Sequence, residues 1–352
     1  MPDNLPIVLH VGGMKAGSSA LQHDLTWQPI REAVRPDGLS CEYVSLLPGQ
    51  LLRGTALQAH AGHFAADYSM SAQLQPLLGQ PEAGLAAGLA ALEQVRREGR
   101  SPVLSYETWL TAEPTAIHTF AAKLTAPVRV VVYVRPPVQW LASLYYQQDY
   151  TKEINPELFL EEWLPKACWN EALTIWRSAP GVSRVDVRAF GGDICTDFCD
   201  LLGCAASGRD VRHNRSLPAV AVELLERQPL PPHVSLSEAK FALWRWLPDT
   251  TAPDLLTAAP FPFDQPMVSR IIAETREASR QLLAHCDTST RQAIESDPRW
   301  WSDEPTLHGP ATESSPREKA CPSGSDAFTL LLWESLLRAD AGWRQERSKR
   351  LP

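Results

Sequence analysis

The amino-acid sequence predicts an α/β fold in which a central parallel sheet is flanked by helices. Two apolar runs and one periodicity carry that reading. Ile7 to Val11 is a strand-length apolar run that stops at Gly12 and Gly13, and Val128-Arg-Val-Val-Val-Tyr-Val134 has the β-branched character of a central strand buried on both faces. From Glu82 to Glu98, Leu85, Leu89, Leu92 and Val95 recur at helical spacing, as a helix covering one face of a sheet requires, with Gly99 as its C-cap.

With 352 residues, 44% of them hydrophobic, the chain can bury one large core. Residues 1–300 are expected to form one α/β domain, with residues 226–300 as helical substrate-side lid or outer layer. Residues 301–325, rich in Pro, Ser, Gly and charge, read as a disordered loop, and residues 326–352 as a C-terminal helix able to pack on the domain or on another subunit. A formal charge of -8 argues against a general nucleic-acid surface, which needs a basic field, so any anion site must be local. No run approaches the roughly 18 apolar residues of a membrane span. The N-terminus carries Asp3 and a strand-length run in place of a signal core, and the expected location is cytoplasmic. Seven cysteines without a CxxC pair read as reduced thiols. Cys195, Cys199 and Cys204 have the spacing of helix turns rather than of a zinc knuckle, and no metal is expected.

After the first strand, Gly12, Gly13 and Gly17 leave the backbone able to make a tight turn, with Lys15 inside it. Ser18 and Ser19 stand where a helix begins, so backbone N–H groups, hydroxyls and the positive end of the helix dipole converge on one point, which suits a phosphate or a sulfate. In a nucleotide triphosphatase loop the lysine follows the last glycine; here Lys15 precedes Gly17 by two residues and Ser18 holds the usual lysine position. Lys15-Ala16-Gly17-Ser18-Ser19, with Leu21 and Gln22 behind it, resembles the loop by which bacterial sulfotransferases hold the 5'-phosphosulfate of 3'-phosphoadenosine-5'-phosphosulfate (PAPS). The resemblance implies the P-loop-containing, nucleotide-binding-like sulfotransferase fold. It covers roughly residues 5–225.

A short helix over Ala20–Trp27 is interrupted by Pro29, and residues 41–78 read as irregular. His60 and His63, three apart, share a face if that segment is helical. Either imidazole titrates near working pH, which makes His63 a candidate for the base, the plainer alternative being two surface histidines. The strand Pro102–Glu107 ends in Glu107, the lead candidate for the general base, because open α/β sheets place chemistry at strand C-termini. Ser105-Tyr106-Glu107 resembles the Ser-Ser-Glu of bacterial sulfotransferases at this place. The alternatives are a cap on the helix beginning near Thr111 or a pair with an arginine.

Arg135 follows the strand 128–134, and Ser143 lies about two turns into the helix over Val138–Gln147. The two resemble the sulfotransferase pair that binds the 3'-phosphate, since a guanidinium fork takes two phosphate oxygens and a hydroxyl donates to a third. The family usually has Asp or Asn after this arginine, where this chain has Pro136. A kinase using Mg-ATP, the rival enzyme, should instead end this strand in a carboxylate that holds magnesium. Trp163, Trp169 and Trp176 read as core or cleft wall. Ser183–Phe190 reads as a strand, and Gly192–Gly203 as a helix with Ile194, Phe198 and Leu201 inward. Arg212-His-Asn-Arg215 resembles a basic loop that closes over the nucleotide, through Arg212 or Arg215.

The resemblance therefore implies a PAPS-dependent sulfotransferase that passes a sulfuryl group to a hydroxyl or amine of a small-molecule or carbohydrate acceptor and releases 3',5'-ADP. Lys15, Glu107 and His63 are its catalytic candidates; Lys15, Ala16, Gly17, Ser18, Ser19, Arg135, Ser143, Arg212 and Arg215 are its nucleotide-binding candidates. The other class of reading is a non-catalytic nucleotide-binding protein that serves as an interaction platform.

Overall fold

The computed structural model describes residues 5–64, 66–148, 155–208 and 261–304, with short pieces at 238–239, 242–243, 337–342 and 345–346. Its strands are β1 (Ile7–Val11), β2 (Ile30–Arg31), β3 (Cys41–Tyr43), the hairpin β4 (Ser45–Leu47) and β5 (Gln50–Leu52), β6 (Ser101–Tyr106), β7 (Val128–Val134) and β8 (Val182–Ala189). Six of them join in the order β2-β3-β6-β1-β7-β8, with every pairing parallel except β2 to β3. The helices are α1 (Ser18–Trp27), α2 (Gly54–Gly62), α3 (Leu74–Gly79), α4 (Glu82–Arg97), α5 (Pro114–Lys123), α6 (Pro137–Gln148), α7 (Pro156–Trp163), α8 (Trp169–Ser178), α9 (Ile194–Leu202), α10 (Gln265–Leu282) and α11 (Thr288–Ser296).

Side chains alternate across a strand, and here both faces are covered, so the buried strands read as continuous apolar runs. Ile7, Leu9 and Val11 of β1 and Val130, Val132 and Val134 of β7 join one core with residues of α4, α5, α6, α8 and α10. Val8, Val131 and Tyr133 point the other way, into a core closed by α1 and α9. Each of these aliphatic side chains, once fully buried, contributes about 1.5–3 kcal/mol before chain entropy is counted.

Residues 41–78 are more ordered than their composition suggests. They hold β3, the β4–β5 hairpin, α2 and α3, elements too short to show a period and set by pairing such as Leu46 with Leu51. In α9 the buried stripe is Ile194, Cys195, Phe198, Cys199 and Leu202, with Leu201 only half-buried. The cysteines thus supply part of the apolar face, and the helix ends at Gly203 in the left-handed region, φ 69°. Within 226–300, α10 is part of the core, burying Val268, Ile271 and Ile272 against α6 and α8. Cys41, Cys168, Cys195, Cys199, Cys204 and Cys286 are unbridged thiols. Among the described residues no helix is long and apolar enough to cross a membrane, and no group of three or more His, Cys, Asp or Glu could hold a metal ion. Of the expected disordered loop only residues 301–304 are described, and of the expected C-terminal helix only residues 337–342 and 345–346, which are helical; the rest lies outside the described residues.

Candidate active site

Because β6, β1 and β7 are adjacent and parallel, their C-terminal ends share one edge of the sheet. From β1 the chain goes on to β3 on one side, and from β7 to β8 on the other. A reversal of this kind opens the crevice where α/β sheets bind ligands. Lys15, Glu107 and Arg135 each follow one of these three strands.

The turn after β1 is held by backbone strain and by packing. Lys15 has φ 63° and Gly17 φ 85°, both left-handed, and Ala16 N–H donates to Gly13 O at 3.2 Å. Gly17 is the N-cap of α1, and no side chain caps the helix there, so its positive end faces the turn. Ser18 is buried, and among the described residues its Oγ makes only a long contact, 3.5 Å, to Gly13 O, which a better acceptor would replace. A Cβ at Gly12 would collide with Ser18 Oγ, and one at Gly17 would come within 2.8 Å of Ile194 Cδ1 and Phe190 Cε2. Gly17→Ala combines that clash with a disfavoured φ and is expected to cost at least about 1–2 kcal/mol. Urea denaturation measures it, and an unchanged midpoint would mean that the turn is soft.

Buried tryptophans clamp the turn from outside. Trp140 Nε1 donates to Met14 O at 2.6 Å and Trp169 Nε1 to Arg135 O at 3.2 Å, and the two rings meet edge to face at 4.8 Å. A core or cleft-wall place for Trp169 was legible in the sequence, but not one for Trp140, nor that the two anchor the turn, because the contacts span 34 and 126 residues.

Arg135 Nη1 donates to Lys15 O at 3.0 Å, and its guanidinium lies 5.3 Å from the centre of the Phe190 ring. Among the described residues it has no carboxylate partner. Burial, helped by the charge of Arg299, pushes it down to about 10. Ser143 sits half-buried on α6. Arg212 and Arg215 lie outside the described residues.

Glu107 accepts a hydrogen bond from Ser19 Oγ at 2.9 Å, and Ser19 in turn accepts one from Tyr68 OH at 3.1 Å. Among the described residues the carboxylate caps no helix and has no arginine partner. Burial pushes Glu107 above the usual carboxylate range, while the Ser19 hydrogen bond and the charge of Lys15 pull it partly back. His63 is exposed and follows α2 as its C-cap, five residues before Tyr68, which is the residue of this segment that joins the Ser19–Glu107 pair. Nothing in the sequence marks Tyr68, whose segment has no period.

Under the turn lies a buried polar group that the sequence reading also passed over. Gln22 Nε2 donates to Ser105 Oγ at 2.9 Å, and Ser105 lies 2.7 Å from His10 Nδ1. Ser105 Oγ accepts from Gln22 and shares a second hydrogen bond with His10 Nδ1, whose direction is set by the imidazole tautomer. Burial pushes His10 down to about 4, so it is neutral.

No family model matches the chain, and no curated protein matches it. Among solved structures it is similar to a sulfotransferase from Alicyclobacillus acidocaldarius, at 14% identity and TM-score 0.37 over 82% of this chain and 98% of the other. The sulfotransferase domain of the curacin biosynthetic pathway matches at 17% identity and TM-score 0.37 over 79% and 98%. That of the olefin synthase of Synechococcus PCC 7002 matches at 12% and TM-score 0.23 over 95% and 94%.

Proposed function

We propose that the chain is a sulfotransferase that moves the sulfuryl group of PAPS to a hydroxyl or amine acceptor and releases 3',5'-ADP. The observation that carries this reading is the joining of two cationic loops at the sheet edge, Arg135 to Lys15 O at 3.0 Å, with the Glu107 carboxylate at the end of the neighbouring strand. The donor set suits an anion with phosphate groups at two ends. Lys15, the Ser18 hydroxyl and the uncapped start of α1 would hold the phosphosulfate, and Arg135 with Ser143 the 3'-phosphate. The strand β7 leads into an arginine and not into the carboxylate a kinase would use for magnesium.

PAPS supplies a sulfuryl group on a good leaving phosphate. Glu107, through Oε2, takes the acceptor proton as the acceptor oxygen or nitrogen bonds to sulfur. The bond from sulfur to the bridging oxygen breaks, and its electron pair leaves on the 5'-phosphate, where Lys15 neutralises the growing charge. A carboxylate raised above its usual range by burial is a better base than a surface one, because its proton affinity lies closer to working pH.

Calorimetric titration with 3',5'-ADP, beside ADP and Mg-ATP, tests the reading. Selective binding of 3',5'-ADP is expected, and Arg135→Ala should weaken it about 10–100-fold, the worth of one charge-assisted contact. Preference for Mg-ATP, or no nucleotide binding, would sink it.

A further inference from the structure

We propose that Tyr68 and Ser19 form a donor chain that positions the Glu107 carboxylate, so that of the two adjacent serines Ser18 serves the nucleotide and Ser19 serves the base. The proposal rests on the sulfotransferase reading and assigns parts within it.

A hydroxyl has one proton to give. Ser19 gives its proton to Glu107 Oε1, and its oxygen receives the Tyr68 proton. Tyr68, Ser19 and Glu107 thus form a directed chain that ends on the negative oxygen, in which each donor polarises the next. Ser19 then has no proton left for a phosphate. Among the described residues Ser18, the neighbour on α1, makes only the long side-chain contact to Gly13, which leaves its proton available. The chain also leaves Oε2 of Glu107 as the atom that meets an acceptor.

The backbone supports the same assignment. Among the described residues only Lys15 and Asp67 are non-glycine residues with positive φ, at 63° and 59°. Each costs of order 1 kcal/mol, and each borders this cluster, Lys15 in the turn before Ser19 and Asp67 next to Tyr68. Asp67 is held in place: its carbonyl accepts from Trp27 Nε1 at 2.9 Å, and its carboxylate lies 3.5 Å from His23 Nε2. The following residue, Ser69, donates its N–H to Thr26 Oγ1 and takes the Tyr43 hydroxyl on its carbonyl. Tyr68 is therefore fixed on both sides, and its phenol is delivered to α1 rather than left to find it.

Two measurements test the assignment, neither of which needs a known acceptor. The first is the carboxyl titration of Glu107 by carbon-13 NMR of glutamate-labelled protein, the resonance assigned by its loss in Glu107→Gln. Lys15 and Tyr68 are the charged and titratable groups that face this carboxylate among the described residues. Ser19→Ala is expected to move the midpoint upward by about one pH unit, since it removes a hydrogen bond to the ionised form. Tyr68→Phe should move it the same way by less, and Ser19→Thr should restore it. The second is calorimetric affinity for 3',5'-ADP, expected within about twofold of wild type in Ser19→Ala. An unmoved titration, or a tenfold loss of 3',5'-ADP affinity in Ser19→Ala, would overturn the assignment and make Ser19 a phosphate ligand. A wild-type protein that binds no 3',5'-ADP overturns the parent reading instead, whatever the titration shows.

Discussion

Sulfuryl transfer by Lys15→Ala is expected to fall about 10²–10³-fold, the usual loss when one preorganised charge donor is taken from a transition state. The fall should sit in kcat, because in the proposed reaction the lysine meets charge that grows on the leaving phosphate only as the bond to sulfur breaks. Lys15→Gly makes the sharper case. Lysine at φ 63° is strained, and glycine is at home there. That variant should be equally inactive yet as stable as wild type, or up to about 1 kcal/mol more stable. Thermal denaturation beside a transfer assay reads both quantities. A Lys15→Gly protein that kept turnover would show that the lysine is there for the turn and not for the chemistry.

Acidification should cost the fold about 3 kcal/mol through His10 alone. Its imidazole is fully buried and held down to about 4 by that burial, against about 6.5 in an unfolded chain. Between those values the unfolded chain takes up a proton that the folded one refuses. Stability is therefore complete above about pH 6.5 and is lost as pH falls toward about 4. His10→Gln keeps a polar side chain that does not titrate. Urea denaturation at about pH 7 and about pH 4.5 should show wild type losing about 2–3 kcal/mol more than the variant. Equal losses would mean that His10 is protonated, or that water reaches it. Acid should disturb the turn after β1 as well, because His10 Cε1 and Ser18 Oγ both lie against the space where a Gly12 Cβ would be.

The sheet was legible wherever a strand is long and buried on both faces. Val128–Val134 forms β7 residue for residue, and Ile7–Val11 forms β1. A strand covered on both faces must be apolar throughout, and that pattern has few other sources. The β4–β5 hairpin and α3 escaped notice because three to six residues cannot display a period. The candidate site divides the same way. The residues of the turn and of the strand exits stand out by their types and by their places after apolar runs. Tyr68, Trp140 and His10 do not, since each contributes through a partner far away in sequence.

Local patterning thus determined the class of fold, the turn that suits an anion, and the edge of the sheet at which Lys15, Glu107 and Arg135 must emerge. Strand order, which sets β6, β1 and β7 side by side, is a property of the packed sheet. It brings Ser19 to within 2.9 Å of Glu107 across 88 residues of chain and Arg135 to within 3.0 Å of Lys15 O across 120. A hydroxyl's partner depends on which oxygen lies within about 3 Å, and only folding creates that proximity. Two serines that look alike in the sequence therefore acquire different partners once α1 is laid against β6.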